Sequence, residues 1–311
     1  MDFGPHLLLA TLEGAVGAAV LALTALGLSL VFGVMRVVNV AHGEFYMLGA
    51  VVAWFVSNAI GTHPALGFVA AIVVAPLVAA GVAIAADRLV LKRLAYDPEA
   101  TIVATIGLLY IMQQLALMGF GPEARPVAEP FNARIMLPLL DWSGGFPSFY
   151  YPTGWGAPSI TAYKLFVIGM AAVILLTFWL ILTRTKIGLV MRATQLDQET
   201  AQTFGIPVNR VYSLVFGLGA GLAALAAVLI VPIQQAHYLM GLDPLLLSFI
   251  VVIIGGLGSI RGTVVAALLI GLSDGIISVF FTPTLAKILA TLLVAMVLVF
   301  RPQGLYGKKP A

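Results

Sequence analysis

Asn39, His42 and Glu44 fall within six positions in the stretch VVNVAHGEFY, with Gly43 among them. Each side chain has a chemical use. An Asn oxygen accepts from the free amides of a starting helix, and a carboxylate in the first turn sits at the positive end of the helix dipole. An imidazole donates from one ring nitrogen and accepts at the other. Long apolar runs flank the stretch on both sides, where polar groups are expensive. Two uses fit: a helix cap at a membrane interface, or a hinge or gate beside a pathway. They are compatible, because a capped break is also a place to bend.

Other polar groups interrupt the apolar runs. Gln113 and Gln114 either bond across helices or line a passage. Asp274 is the costliest carboxylate by position, and either pairs with a neighbouring helix or faces a cavity. Glu13 lies near the start of the first run and is expected to be structural, and Gln234, Gln235, His237 and Asp243 fall in a segment expected to be solvated or to meet a partner. A second interruption, IGGLGSIRG, places Gly255, Gly256, Gly258 and Gly262 within eight positions. Glycine permits positive φ and close backbone approach. Non-helical backbone at membrane depth is tolerated only where protein or water covers it. Each interruption carries one arginine, Arg36 and Arg261. Their likeness points to an internal repeat, and paired broken helices mark the pathway in many transporters.

Several chemistries have no support. The four histidines are scattered without metal-ligand spacing, and no nucleophile is set beside a base. There is no G-x-x-x-x-G-K-[ST] phosphate loop. No metal and no cofactor is expected. Basic residues exceed acidic ones only by 16 to 13, with no basic stripe, so no nucleic acid partner is implied.

The elements that hold these residues are set by composition. The chain is 61% hydrophobic and 9% charged, with a mean hydropathy of +1.08. A soluble domain is nearer 25% charged, so the solvent here is lipid. Apolar runs near the ~20 residues a helix needs to cross a bilayer predict an all-α, polytopic transmembrane bundle. Spans are expected at 7–33, 44–60, 66–91, 100–119, 161–183, 211–231, 247–256, 262–280 and 284–300, eight or nine in all, some broken. The seventh is too short to cross alone. Residues 1–311 read as a single transmembrane domain. The Pro-, Gly- and aromatic-rich loop 120–160, expected to have little regular structure, divides an N-terminal half (1–120) from a C-terminal half (161–311). If 184–210 faces the cytoplasm, alternation puts twelve of the 16 Lys and Arg on that side. That bias predicts the N-terminus outside and the C-terminus cytoplasmic.

The segment RTKIGLVMRATQLDQETAQTFGIPVNR (184–210) is the most polar in the chain. Thr194 followed by Asp197 fits a capping box, Gly205 a left-handed stop, and Pro207 blocks continuation. A helix outside the bilayer is expected to run to Phe204, with Leu196, Ala201 and Phe204 as an apolar contact face. It is either a solvated loop helix or a docking element for a soluble partner.

At this point the chain resembles the inner-membrane permeases of branched-chain amino acid ABC importers, the LivH/LivM type. The resemblance runs through ALGLSLVFGVMRVVNVAHGEFYMLGA (25–50), ATIGLLYIMQQLAL (104–117), the segment 184–211, VVIIGGLGSIRGTVVAALLIGL (251–272) and RPQGLYG (301–307). It implies a second related permease subunit, two cytoplasmic ABC ATPases and a periplasmic substrate-binding protein, in a bacterial inner membrane. It implies that 194–205 is the coupling helix, with Arg192, Thr194, Leu196, Asp197, Glu199, Ala201, Phe204 and Gly205 meeting an ATPase. Asn39, His42, Gly43, Glu44, Gln113, Gln114, Gly255, Gly256, Gly258 and Asp274 are then the candidates for pathway or gate. ATP hydrolysis is expected on the partners, so this chain is not expected to be an enzyme. Related importers for urea or short amides share both interruption blocks and remain an alternative. A stand-alone secondary transporter or channel is a further one, disfavoured by the scarcity of charges deep in the spans.

Overall fold

A computed structural model describes residues 3–137, 139–141, 148–150, 159–301 and 303–307. Its elements run α1 (Phe3–Met35), α2 (His42–Ile60), α3 (Pro64–Leu89), a 3₁₀ turn (Leu91–Leu94), α4 (Pro98–Phe120), β1 (Arg134–Met136), β2 (Leu139–Asp141), β3 (Ser148–Tyr150), β4 (Ser159–Thr161), α5 (Ala162–Arg184), α6 (Lys186–Leu196), α7 (Gln198–Thr203), α8 (Val208–Gln234), α9 (Leu242–Gly255), α10 (Ile260–Phe280) and α11 (Pro283–Phe300). Seven of these helices are long and apolar enough to cross a bilayer. The expected spans match the helices in order and nearly in extent. The described parts of 120–160 hold more order than expected: β1 pairs antiparallel with β4, and β2 with β3. Ile160 is buried by the first pairing, which gives that ladder an apolar anchor.

The packing follows from small residues at helical spacing. Ala71, Ala75, Ala79, Ala83 and Ala86 mark one buried face of α3, while Val69, Val73 and Leu77 on the other face are exposed. Without a hydrophobic drive between helices in lipid, such stripes let backbones approach and gain dispersion contacts. α3 lies antiparallel along α8, with Asp87 opposite Ser213, and Pro76 opposite Gly221. α1 and α8 form the buried centre.

The major contacts have a symmetry. α1 packs on α10, as α8 packs on α3. α2 packs on α8, as α9 packs on α1, and each of the pairs α2–α3 and α9–α10 is a hairpin. Exchanging α1 with α8, α2 with α9 and α3 with α10 maps this set onto itself. α1 and α10 are antiparallel, with Gly14 opposite Gly275 and Ser29 opposite Thr263. α2 runs parallel to α8, where Phe45 meets Phe216 edge-on at 5.8 Å and Gly49 meets Ala224. The two units therefore run in opposite directions, the arrangement of an inverted repeat. This corrects the register of the expected repeat. The counterpart of 36–41 is the segment 235–241 leading into α9, and the loop around Gly255–Gly262 corresponds to the α2–α3 turn at Gly61. The glycine signal at 255–262 reports a local need for close approach, described below.

Candidate functional site

The segment 36–41 leaves α1 and turns back into the bundle before α2 begins. Arg36 makes the turn at φ 56°, and its amide still bonds Phe32 O at 2.9 Å. His42 then lies deep in the packing, because its Nε2 meets Thr24 O at 2.9 Å, well inside α1. A carbonyl can only accept, so Nε2 carries the proton. His42 and Glu44 are both fully buried, and Gln113 of α4 donates from Nε2 to Glu44 Oε1 at 2.9 Å. His42 Nδ1 and Glu44 Oε2 have no hydrogen-bond partner among the described residues. Asn39 does not cap α2. Its Oδ1 accepts from the Ala41 amide at 3.1 Å, an Asx turn just before the helix, and the N-cap position is Ala41. Thr105 of α4 accepts from the Val40 amide through Oγ1 at 3.2 Å. Gln114 does not join this group; it is exposed on the outer side of α4.

Gly43 meets the start of α9. A Cβ added at Gly43 would lie 2.3 Å from Gly241 O, and one added at Gly241 would lie 2.1 Å from Gly43 O. The first turns of α2 and α9 thus touch through bare backbone, at equivalent positions of the two repeats.

The second break lies at the opposite end of α9. Gly256 and Gly258 have φ of 100° and 76°, conformations natural to glycine. Ser259 caps α10 by accepting from Gly262 N at 3.2 Å. Gly255 and Gly262 approach so closely that either Cβ would strike the other's backbone. Residues 303–307 close over this loop, where the amides of Leu305 and Tyr306 donate to Ile254 O and Gly255 O at 2.8 and 3.1 Å. This docking of RPQGLYG was not anticipated from sequence; its one signal is Gly304, at φ 76° against Gly256.

The polar segment 184–210 folds as two helices instead of one. Thr194 is buried within α6 and donates from Oγ1 to Val190 O, so it is not a cap. Asp197 takes that role one turn later. Its Oδ1 accepts from the Glu199 and Thr200 amides at 3.0 and 3.1 Å, and its Oδ2 from the Thr200 hydroxyl. These bonds, the Thr200 hydroxyl first, hold its carboxyl below the usual aspartate range, with help from the Arg36 charge. α7 closes in a Schellman motif, with Ile206 N on Ala201 O and Gly205 N on Gln202 O, and Gly205 at φ 81°. Ala201 faces inward and is buried. Leu196 and Phe204 project outward at 69% and 82% exposure, and Arg192, Asp197 and Glu199 are also exposed.

This elbow is wired to both breaks. Gln195 donates from Nε2 to Gly258 O at 3.3 Å, and its own carbonyl accepts from the Arg36 guanidinium at 3.5 Å. Gly33 of α1 packs against Gly258. A second route leads to α3: Gln198 of α7 accepts from Tyr212 OH at 2.9 Å, Tyr212 meets Tyr96 edge-on at 4.7 Å, and Ser213 donates to Asp87. Sequence reasoning missed Gln195, Gln198 and Tyr212; Gln195 and Tyr212 meet residues far along the chain, Gly258 and Tyr96.

Asp274 lines a cavity of about 290 Å³ at the end of the bundle remote from the elbow, together with Gln234, His237 and Asp243. Three residues expected to be solvated in a loop therefore face this space. Glu13 is structural as expected, paired with Lys164 of α5.

A family described as the permease component of branched-chain amino acid transport systems matches residues 10–300. The chain belongs to this family. Among curated relatives, the permease is 25% identical to the high-affinity branched-chain amino acid transport system permease protein BraD of Pseudomonas aeruginosa, over 97% of this chain and 96% of that one. It is 27% identical to LivH of Escherichia coli K12, over 92% and 91%. It is 29% identical to the autoinducer 2 import system permease protein LsrD of Salmonella paratyphi B, over 57% and 51%. No solved structure matches. The permease is thus a helical, multi-pass membrane protein of the branched-chain amino acid transport family.

Proposed function

We propose that this permease forms, with a second related permease, the membrane path of an ABC importer for branched-chain or related hydrophobic amino acids. A periplasmic protein delivers substrate on one face, and two ATPases work from the other. The N-terminus lies outside and the C-terminus in the cytoplasm of a bacterial inner membrane, as the basic residues around the elbow favour. The observation that carries the reading is the elbow α6–α7. Two large apolar side chains, Leu196 and Phe204, stand out from a rigidly capped helix pair, and that pair is bonded to the turn after α1 and to the loop before α10. A groove that seats Leu196 and Phe204 and then moves would drag both breaks with it. The contact between α2 and α9 starts would separate or close in turn, which is alternating access. The ATP chemistry belongs to the partners, and this chain contributes motion and a passage.

The test is gentle extraction of the tagged chain from its own membrane, with co-purifying chains identified by mass spectrometry. Two ATPases and a second permease are expected. Burying a Leu or Phe side chain is worth about 1.5–3 kcal/mol, so Leu196→Ser or Phe204→Ser should weaken ATPase retention about ten- to hundredfold. A chain that emerges alone, under conditions that keep a known ABC complex intact, or a double variant that retains its ATPases fully, would overturn the assignment.

A further inference from the structure

The cavity beside Asp274 has the chemistry of a binding site. Resting on the importer reading, we propose that it is a site within this single subunit for a hydrophobic α-amino acid, held as its zwitterion. Asp274 projects from α10, inside a membrane-crossing helix, and its carboxylate has no hydrogen bond among the described residues; the Lys287 charge favours it from beyond ion-pair distance and the Asp243 charge opposes it. An ionised group at such depth is costly unless a cation or water meets it. The nearest lysine is already engaged: Lys287 Nζ donates to Asp243 Oδ2 at 2.8 Å. An ammonium group has three donors, so two remain on Lys287. The three charges belong to the same cavity wall. A substrate ammonium completes Asp274, and a substrate carboxylate takes the spare donors of Lys287.

The rest of the wall selects the side chain. Val20, Leu21, Ile230, Leu247 and Ile270 line it with branched and aliphatic groups from four helices. A volume of about 290 Å³ is at the small end of ligand pockets, enough for one amino acid and not for a peptide. The lining reaches from the outer rim at Gln234 down to Thr24, whose carbonyl is the one held by His42. Occupancy therefore bears on the same point of α1 that anchors the first break. A urea- or amide-sized solute would need neither the paired charges nor the aliphatic wall.

The experiment measures direct binding to the full chain in lipid nanodiscs, with whatever subunits co-purify and with no binding protein. The probes are L-leucine, L-leucinamide and 4-methylpentanoate, which keep both charged groups, only the ammonium, and only the carboxylate. Leucine should bind best, leucinamide more weakly, and 4-methylpentanoate least. Asp274→Asn should weaken leucine about ten- to hundredfold and bring it close to 4-methylpentanoate, the loss expected for one charged hydrogen bond. Lys287→Gln should bring leucine down to leucinamide. Asp274→Asn removes a charge from a span, so insertion should not suffer, and Lys287→Gln gives an independent readout. Unchanged leucine binding in both variants, 4-methylpentanoate binding as well as leucine, or occupation by sodium or potassium alone would overturn the proposal. The importer reading is judged separately on the same preparation. ATPases present without leucine binding would sink the cavity alone, and leucine binding without ATPases would sink the importer alone.

Discussion

Gly43→Ala should pry apart the starts of α2 and α9, which meet inside the bundle. Gly43 is helical, so the substitution carries no φ penalty, and alanine brings a helix-propensity gain of about 1 kcal/mol. The new methyl, however, would lie 2.3 Å from Gly241 O, 2.8 Å from Leu245 Cβ and 3.0 Å from Gly241 C. Two of these neighbours are backbone atoms, which cannot rotate away, so α9 must shift by about 1 Å to restore normal contact. Overpacking of this kind costs about 1–3 kcal/mol, and a backbone clash belongs at the upper end. The net loss is about 2 kcal/mol. Gly169 on α5 is the control: a Cβ there meets nothing within 4 Å, so Gly169→Ala should be neutral or stabilising. Equilibrium unfolding of the micelle-embedded chain by SDS reads both. Gly241→Ala should match Gly43→Ala, and the double variant should fall short of additivity, since one separation accommodates both methyls. If Gly43→Ala gains stability as Gly169→Ala does, the two helix starts do not touch and the inverted-repeat geometry is wrong at its centre.

Gln113→Leu removes the only described donor to Glu44 Oε1 and should cost about 1–3 kcal/mol in the same titration, with the loss relieved in a Glu44→Leu background. The Asp197 cap should depend on pH in a definite direction. Its carboxyl is held below the ordinary value of 3.8 in the folded chain, so its contribution is complete above that value and fades as pH falls through the lowered one. Protection of the Glu199 and Thr200 amides, measured against their unstructured exchange rates at each pH, should fall below about pH 4, and Asp197→Ala should leave it low at every pH. Gly304→Ala combines a positive φ with a Cβ 2.6 Å from Gly256 Cα, so the 303–307 tail should detach. The natural chain has no cysteine, and a Leu305→Cys reporter should then react with maleimide about tenfold faster.

The spans were legible because lipid imposes a length and a polarity that no tertiary contact overrides. The starts of helices were less so. α9 begins at Leu242 instead of 247, because Asp243 and Pro244 in its first turn read as loop residues until Lys287 and the cavity are seen around them. The segment 184–210 holds two overlapping cap patterns, Thr194–Asp197 and Asp197–Thr200. Only packing, which buries Thr194, decides between them. Gln113 and Gln114 are neighbours with one composition and opposite fates, because a helix turns about 100° per residue and only one can face Glu44. An internal repeat was legible, but its register and inversion were not, because equivalent positions share backbone path and not side chains; 36–41 and 235–241 have almost no residues in common.

The strap formed by residues 303–307 also sets an order of assembly. Its hydrogen bonds satisfy carbonyls of Ile254 and Gly255 at the loop between α9 and α10, which α1 and α6 also touch. Those carbonyls emerge from the ribosome well before the strap that covers them. During synthesis the loop must wait, held by water at the membrane surface, while α10 and α11 insert. The final latch is thus a post-insertion event.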